Sequence, residues 1–462
     1  MVDTTTMSIP PKDVVLIVLA AYVPLGLLSV RGIPESLQRF YLANALPLML
    51  LSHVVPIITL AFTRPSSLLR VAVLPLASVA SVCFHRLAPE VFPGRNQAGG
   101  LDGPFMLMFL TVVDVFGLRR LYLNDRGVER SGRHEAGEEE KGMDGKTSML
   151  KASLQSLWKR VTWATHVMFS YRAIGTTRQM PNIPTFYPEV PSRWRFIWNQ
   201  IVACLVEYLV LDLLANVRLA PMEAFTQERA SLLLSPQFWT LPVLGLRTVR
   251  TFLFWVDRYT TVRFIYDAAS IFGVASGLTR PEDWPPYFGS IWEAWTLRRY
   301  WAVFWHSGLR NPLASNIGFI VYDVLRLRRH STEGRMLTVG LTFGLSGAIH
   351  HFVDEATGIP GADNWAIPTF LIQAFGITVE GLVQQAYHQL TSPKIPSSYG
   401  KHKGVTARTV EPPITWQRIV GYIWVAFWVL YTVSPYAYSY SRNPPEPMFP
   451  ISAIRSLKQF LV

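Results

Sequence analysis

The sequence predicts an all-α protein, a polytopic transmembrane helical bundle of about 8–10 spans, and three observations predict it. Half of the 462 residues are hydrophobic and only 16% are charged, where an ordinary soluble domain carries about 25% charge. Mean hydropathy is +0.23, and 15 Trp, 18 Tyr and 26 Phe suit aromatic belts at membrane interfaces. Apolar stretches of spanning length fall into two groups, separated by a single charged stretch.

The first group covers 14–30, 41–62, 69–87 and 104–118. Pro24, Pro47, Pro56 and Pro75 lie within these runs; membrane helices accept them where neighbours satisfy the freed backbone groups. The start, Met1 to Asp13, lacks the positive region of a secretory signal, and 14–30 lacks a small-residue cleavage site, so this run is expected to stay as a span. Residues 119–165 then mix charges and glycine before a Trp-containing amphipathic stretch, 150–169, which is expected in the interface plane. The second group covers 196–216, 238–256, 261–278, 312–325, 336–353, 365–390 and 416–434. Of these, 238–256 is weak because it carries Arg247 and Arg250, and 312–325 because it is short. The expected organisation is 1–118 as N-terminal membrane helices, 119–165 as a charged cytosolic loop and amphipathic segment, 166–392 as the functional core, and 393–462 as a C-terminal loop, last span and tail.

The net charge of +12 is better explained by basic flanks of apolar segments, as the positive-inside rule requires, than by nucleic acid. No basic helix or zinc spacing supports nucleic-acid binding. Cys83 and Cys204 both sit in apolar stretches, which gives neither a disulfide framework nor a metal site. They are expected to be packing residues.

Ionisable residues in or beside spans carry the chemistry, because burying them is costly. Of ten histidines, His134, His330 and His402 sit in polar loops, while His53, His85, His166 and His388 are isolated near span ends. That leaves His306, His350 and His351. In 343–355, FGLSGAIHHFVDE, Ser346, His350 and Asp354 recur every four residues and so share one helix face. Gly347 is expected to leave open volume beside the His350 imidazole. A second cluster, 298–312, sets Trp305–His306 between Arg298–Arg299 and Arg310, just after an aromatic, proline-rich stretch.

These residues carry a resemblance. Trp284-Pro285-Pro286-x-Phe288-Gly289, then Leu297-Arg298-Arg299-Tyr300-Trp301 leading to Trp305-His306, then Ser346-Gly347-x-x-His350 resemble the wax synthase domain family. That family is a branch of the membrane-bound O-acyltransferase-like proteins. Upstream, Tyr171-Arg172-Ala173-Ile174-Gly175 leading to Pro181-Asn182-Ile183-Pro184 resembles the opening of the fungal form of the domain. The resemblance covers roughly residues 170 to 390, and its strength lies in four motifs in one order. Tyr300 stands where Phe is usual and Ala302 where Gly is common, changes that bear on packing around an acyl donor.

The resemblance implies an O-acyltransferase in which His350 is the catalytic base and Trp305–His306 form the second part of the site. In the mechanism that fits, His350, held by Asp354 or another acceptor, takes the proton of an acceptor hydroxyl attacking a thioester carbonyl. His306, the Trp305 indole N–H or Asn311 stabilises the oxyanion. Arg299, Ser346 and His351 complete the substrate-binding candidates, His351 without a motif counterpart. No bound cofactor or metal is expected. The cosubstrate is acetyl-CoA or another acyl-CoA reaching a basic cytosolic face, and the other partners are a lipophilic alcohol and the lipid membrane. The fungal form points to acetylation of a terpenoid or meroterpenoid in secondary metabolism, in the endoplasmic reticulum; the alternative is a wax-ester synthase joining long-chain acyl-CoA to a fatty alcohol. A transporter with a histidine proton relay is the rival from another class, and it would need two similar halves that the chain lacks. A terpene cyclase or a desaturase would need Asp-rich or repeated histidine boxes, also absent from the sequence.

Overall fold

The computed structural model describes residues 9–92, 94–123, 129–131, 149–176, 178–391, 415–444, 449 and 451–460. The first eight residues of the chain, residues 124–128 and 132–148 of the 119–165 stretch, the basic stretch 394–408, His134 and His402 lie outside the described residues. In chain order the elements are α1 (Lys12–Arg31), α2 (Ala45–Phe62), α3 (Leu68–Val91) and α4 (Ala98–Leu118). A hairpin of β1 (Leu121–Leu123) and β2 (Glu129–Ser131) follows, then α5 (Met149–Phe169), α6 (Arg193–Asn216), α7 (Leu241–Ala275) and α8 (Arg310–Gly318). Then come α9 (Thr332–Ala356), α10 (Ala366–Thr391), α11 (Thr415–Thr432), α12 (Ser434–Arg442) and a last short helix, α13 (Ala453–Phe460).

Eight helices among the described residues are long and apolar enough to cross a membrane, namely α1–α4, α6, α9, α10 and the joined α11–α12. The protein is an all-α, multi-pass integral membrane bundle. Pro56 and Pro75 sit inside α2 and α3 as expected. Outward apolar side chains such as Leu205 and Leu209 on α6 or Ile423 and Phe427 on α11 present hydrocarbon to lipid, where they need no partner.

Three expectations are corrected. The stretches 238–256 and 261–278 form one unbroken helix, α7, of 35 residues, roughly 52 Å long at 1.5 Å per residue. The charges between the two runs, Asp257 and Arg258, pair with each other, and Arg247, which weakens 238–256, donates to the carbonyls of Arg229 at 2.6 Å and Ser231 at 2.9 Å. The stretch 312–325 is α8 with a π-helical continuation, Phe319–Val324, too short for a bilayer core of about 30 Å and packed among protein. The amphipathic α5 does not rest only on an interface. It turns Leu157 and Trp158 outward and buries Ala164 and Met168 in the main core.

That core joins the two groups of helices. It contains Ile17 and Ala21 of α1, Leu60 of α2, Leu74 of α3, Met108 and Val112 of α4, and also Leu313 of α8, Phe319 and Ile349 of α9. Cys83 packs in a smaller cluster with Tyr41 and Leu87. The helices before the charged loop therefore brace the helices that carry the histidines.

Candidate active site

α9 starts at a serine cap, Ser331 Oγ accepting from Gly334 N at 3.0 Å, and runs for 25 residues through Ser346, His350, His351 and Asp354. Gly347 does not open space beside His350. A Cβ there would lie 2.9 Å from the Ile367 Cα and 3.1 Å from the Phe370 Cβ, so the glycine lets α10 approach closely. That approach seats the Phe370 ring against the His350 imidazole, centroids 4.7 Å apart and 18° from parallel. Among the described residues no side chain or carbonyl bonds either ring nitrogen of His350. The ring is surrounded by protein, yet the residue keeps part of its surface accessible.

The second part of the site is built by the segment 284–308. Thr296 caps the short helix Leu297–Arg299, accepting from Arg299 N at 3.0 Å. The buried Glu380 of α10 accepts from Leu297 N at 2.7 Å and so ties the segment to the bundle. Tyr300–Phe304 then forms a π-helical turn, closed by Trp305 N donating to the Tyr300 carbonyl at 2.7 Å, a local widening often found at functional sites. Gly289 N donates to the Phe304 carbonyl at 2.9 Å, and a Cβ at Gly289 would collide with the Val303 carbonyl. A Cβ at Gly308 would collide with the Tyr287 hydroxyl. Gly289 is thus required by a close backbone approach, and Gly308 by the seat of the Tyr287 side chain.

This folding places His306 against Tyr287, with centroids 5.3 Å apart and 16° from parallel, and edge-on to Phe288 at 5.6 Å. The Nδ1 of His306 is buried without a hydrogen-bond partner among the described residues. Burial lowers its pKa to about 3, reinforced by the nearby His350 and by the Arg172 charge. The two motif histidines therefore come within electrostatic reach of each other, although 44 positions separate His306 from His350 in sequence. Trp305 stands beside His306, its ring 4.6 Å from Trp255.

Other expected site residues fall elsewhere. Asp354 does not hold His350. Its Oδ2 accepts from Tyr436 Oη at 2.7 Å and its Oδ1 from Tyr440 Oη, because α12 folds over the end of α9. Arg299 is turned to Glu293 and lies over the Trp295 ring at 4.7 Å. Asn311 is buried, accepts from Arg119 at 3.1 Å, and lines a water-sized cavity with Asp114, Ser170 and Tyr171. Ser346 is buried one turn before His350. His351 faces Glu355 at 3.5 Å, and Glu355 stands 3.9 Å from His85, itself 2.9 Å from the fully buried Asp102. His85 is thus part of a polar chain rather than isolated.

Arg172 was missed as a site-forming residue, although the Tyr-Arg-Ala-Ile-Gly stretch contains it. It is buried and donates to the carbonyls of Pro285 at 2.8 Å and Pro286 at 2.9 Å and to the Tyr266 hydroxyl. Its guanidinium lies 5.0 Å from the centroid of the Tyr287 ring, the ring on which His306 stacks. The two motifs are one construction. No sequence signal marks Tyr436 and Tyr440, which lie beyond the motifs.

Comparison with known proteins agrees with this arrangement. Residues 284–373 match the model of the membrane bound O-acyl transferase family, a stretch that holds both His306 and His350. The chain is 30% identical over 310 residues to acetyltransferase ataH of Aspergillus terreus, covering 64% of this chain and 95% of the relative. It is 30% identical to acetyltransferase aurG of Calcarisporium arbuscula, covering 65% of this chain and 72% of that one. With acetyltransferase atnC of Arthrinium sp it shares 28% identity over 87% of this chain and 88% of the relative. No solved structure matches. An all-α membrane bundle, two histidines brought together from separate motifs and near-full-length likeness to acetyltransferases lead to one conclusion: this chain belongs to the membrane bound O-acyl transferase family and is an O-acyltransferase.

Proposed function

We propose that the protein transfers the acetyl group of acetyl-CoA to a hydroxyl of a terpenoid or meroterpenoid intermediate in fungal secondary metabolism, at the endoplasmic reticulum membrane. The observation that carries this reading is His350, whose ring nitrogens have no protein partner among the described residues and which lies within electrostatic reach of His306. The names of the fungal relatives favour acetyl as the group transferred.

In this reading His350 Nε2 or Nδ1 takes the hydroxyl proton as the alcohol oxygen attacks the thioester carbonyl carbon. The resulting oxyanion is met by the Trp305 indole N–H or by His306. Collapse breaks the carbon–sulfur bond, and the His350 imidazolium returns its proton to the CoA thiolate. Proton count closes on ester and free thiol, and no acyl-enzyme is needed. An apolar alcohol enters from lipid, and Ser346, one turn below His350, contacts it. Asn311, His351 and Arg299 act on packing and charge around the site rather than on the reacting atoms.

The test is ester formation by microsomes carrying the wild-type chain or His350→Ala. Each receives labelled acetyl-CoA with a polycyclic terpenoid alcohol, or long-chain acyl-CoA with a fatty alcohol. The expected result is acetyl ester from the wild type and a loss of at least a hundredfold in the variant at equal membrane levels. Equal activity of the two would remove His350 as the base, and ester only from the long-chain pair would make the protein a wax-ester synthase.

A further inference from the structure

We propose that α12 supplies positioning residues for catalysis: Tyr436 and Tyr440 hold Asp354 so that the turn of α9 carrying His350 keeps its imidazole set near His306. The inference rests on the reading of His350 as the base.

Tyr436 and Tyr440 are four residues apart on α12 and present both hydroxyls to one carboxylate, as residues at that spacing on a helix do. Asp354, Tyr436 and Tyr440 are all buried, at 1%, 5% and 5% exposure. Asp354 lies one turn beyond His350 on the same face of α9, so fixing its carboxylate fixes the adjoining turn. A third helix joins in: Arg258 of α7 lies over the Tyr440 ring at 4.9 Å, pairs with Asp257, and exerts its charge on Asp354. Phe254, one turn earlier on α7, contacts Tyr436 and Tyr440 with centroids 5.1 Å and 5.4 Å away. A buried polar cluster of this kind is a poor source of stability, since apolar residues of similar volume commonly serve as well or better. Its asset is a fixed geometry, and here that geometry is delivered next to the base. Both tyrosines lie outside residues 284–373, the stretch the family model matches, so α12 extends the catalytic machinery beyond the motif region.

The test uses full-length protein in microsomes, with Tyr436→Phe, Tyr440→Phe and the double variant, each also in the His350→Ala background. The substrates are the donor and alcohol pair that the wild type esterifies. Each single change is expected to lower kcat about tenfold and the double change about a hundredfold, as small displacements of a catalytic group do, with KM nearly constant. Because the buried Asp354 loses its donors, melting temperature falls as well, so kcat is compared per folded protein well below each variant's melting temperature. In the His350→Ala background the tyrosine changes should cost nothing further. A second readout needs no substrate: carbethoxylation of His350 by diethylpyrocarbonate, followed by mass spectrometry, is expected to change rate severalfold in the double variant. Wild-type kcat or an unaltered labelling rate in the double variant, beside an inactive His350→Ala, overturns this proposal and leaves the base assignment standing. A fully active His350→Ala instead overturns the base assignment itself.

Discussion

His306 shows how a single ring is tuned by what surrounds it. Stacked on Tyr287, edge-on to Phe288 and without a partner at Nδ1 among the described residues, it resists taking a second proton because a buried charge there lacks solvation. Its pKa falls to about 3 in the fold, against about 6.5 in an unfolded chain. Between those values the unfolded state binds more protons than the folded one, so stability rises with pH across the window. The contribution of a neutral His306 is complete above the unfolded value and is lost as pH falls below it. Melting temperature should therefore drop less on acidification from pH 7.5 to 5.5 in His306→Gln than in the wild type, measured in detergent at several pH values. A neutral imidazole at catalytic pH suits a hydrogen-bond donor or acceptor and not a charged oxyanion clamp.

The segment 284–308 is an element held from outside itself. The Pro285 and Pro286 carbonyls have no regular ladder to enter and are met by the Arg172 guanidinium, whose planar fork matches two neighbouring acceptors. Lysine offers one compact charge and no fork. Arg172→Lys is expected to cost about 2–3 kcal/mol, the scale of a lost charged hydrogen bond, and to lower activity more than membrane abundance because Tyr287 and His306 shift together. Thermal unfolding and kcat of the variant check both parts. The motifs of this segment were readable in the sequence as strings of residues, and so was their link to activity through the family resemblance. What joins Arg172 to Pro285, more than a hundred positions away, is not a periodicity and so left no trace in any local window.

At the scale of the whole molecule, one asparagine stitches the two groups of helices. Asn316 of α8 is 1% exposed, donates to the Leu110 carbonyl of α4 at 2.9 Å and accepts from the Tyr22 hydroxyl of α1 at 2.7 Å. Leucine at this position would leave the Tyr22 hydroxyl unsatisfied in a dry interior, while the Leu110 carbonyl keeps the Val113 N–H. Asn316→Leu is expected to destabilise the protein by about 1–3 kcal/mol, the scale of one orphaned group. Tyr22→Phe leaves the buried Asn316 Oδ1 without its donor and should cost about as much, whereas changing both residues removes the pair and should cost less than the sum of the single changes. Melting of the three variants side by side checks this coupling.

The all-α membrane class, most of the spans and the two histidine motifs followed from the sequence by itself. Hydropathy reports each residue's preference for lipid or water, and motifs are local strings. Side-chain commitments were decided only in three dimensions. Arg247 made the first half of α7 look like a weak span because its acceptors, the Arg229 and Ser231 carbonyls, belong to other elements. Gly347 looked like open space because α10 is invisible from α9. Asp354 looked like the partner of His350 because both share a helix face, yet two tyrosines more than eighty positions later claim its oxygens. A carboxylate accepts from whichever donors the fold brings to it, and spacing along one helix constrains only the residues of that helix.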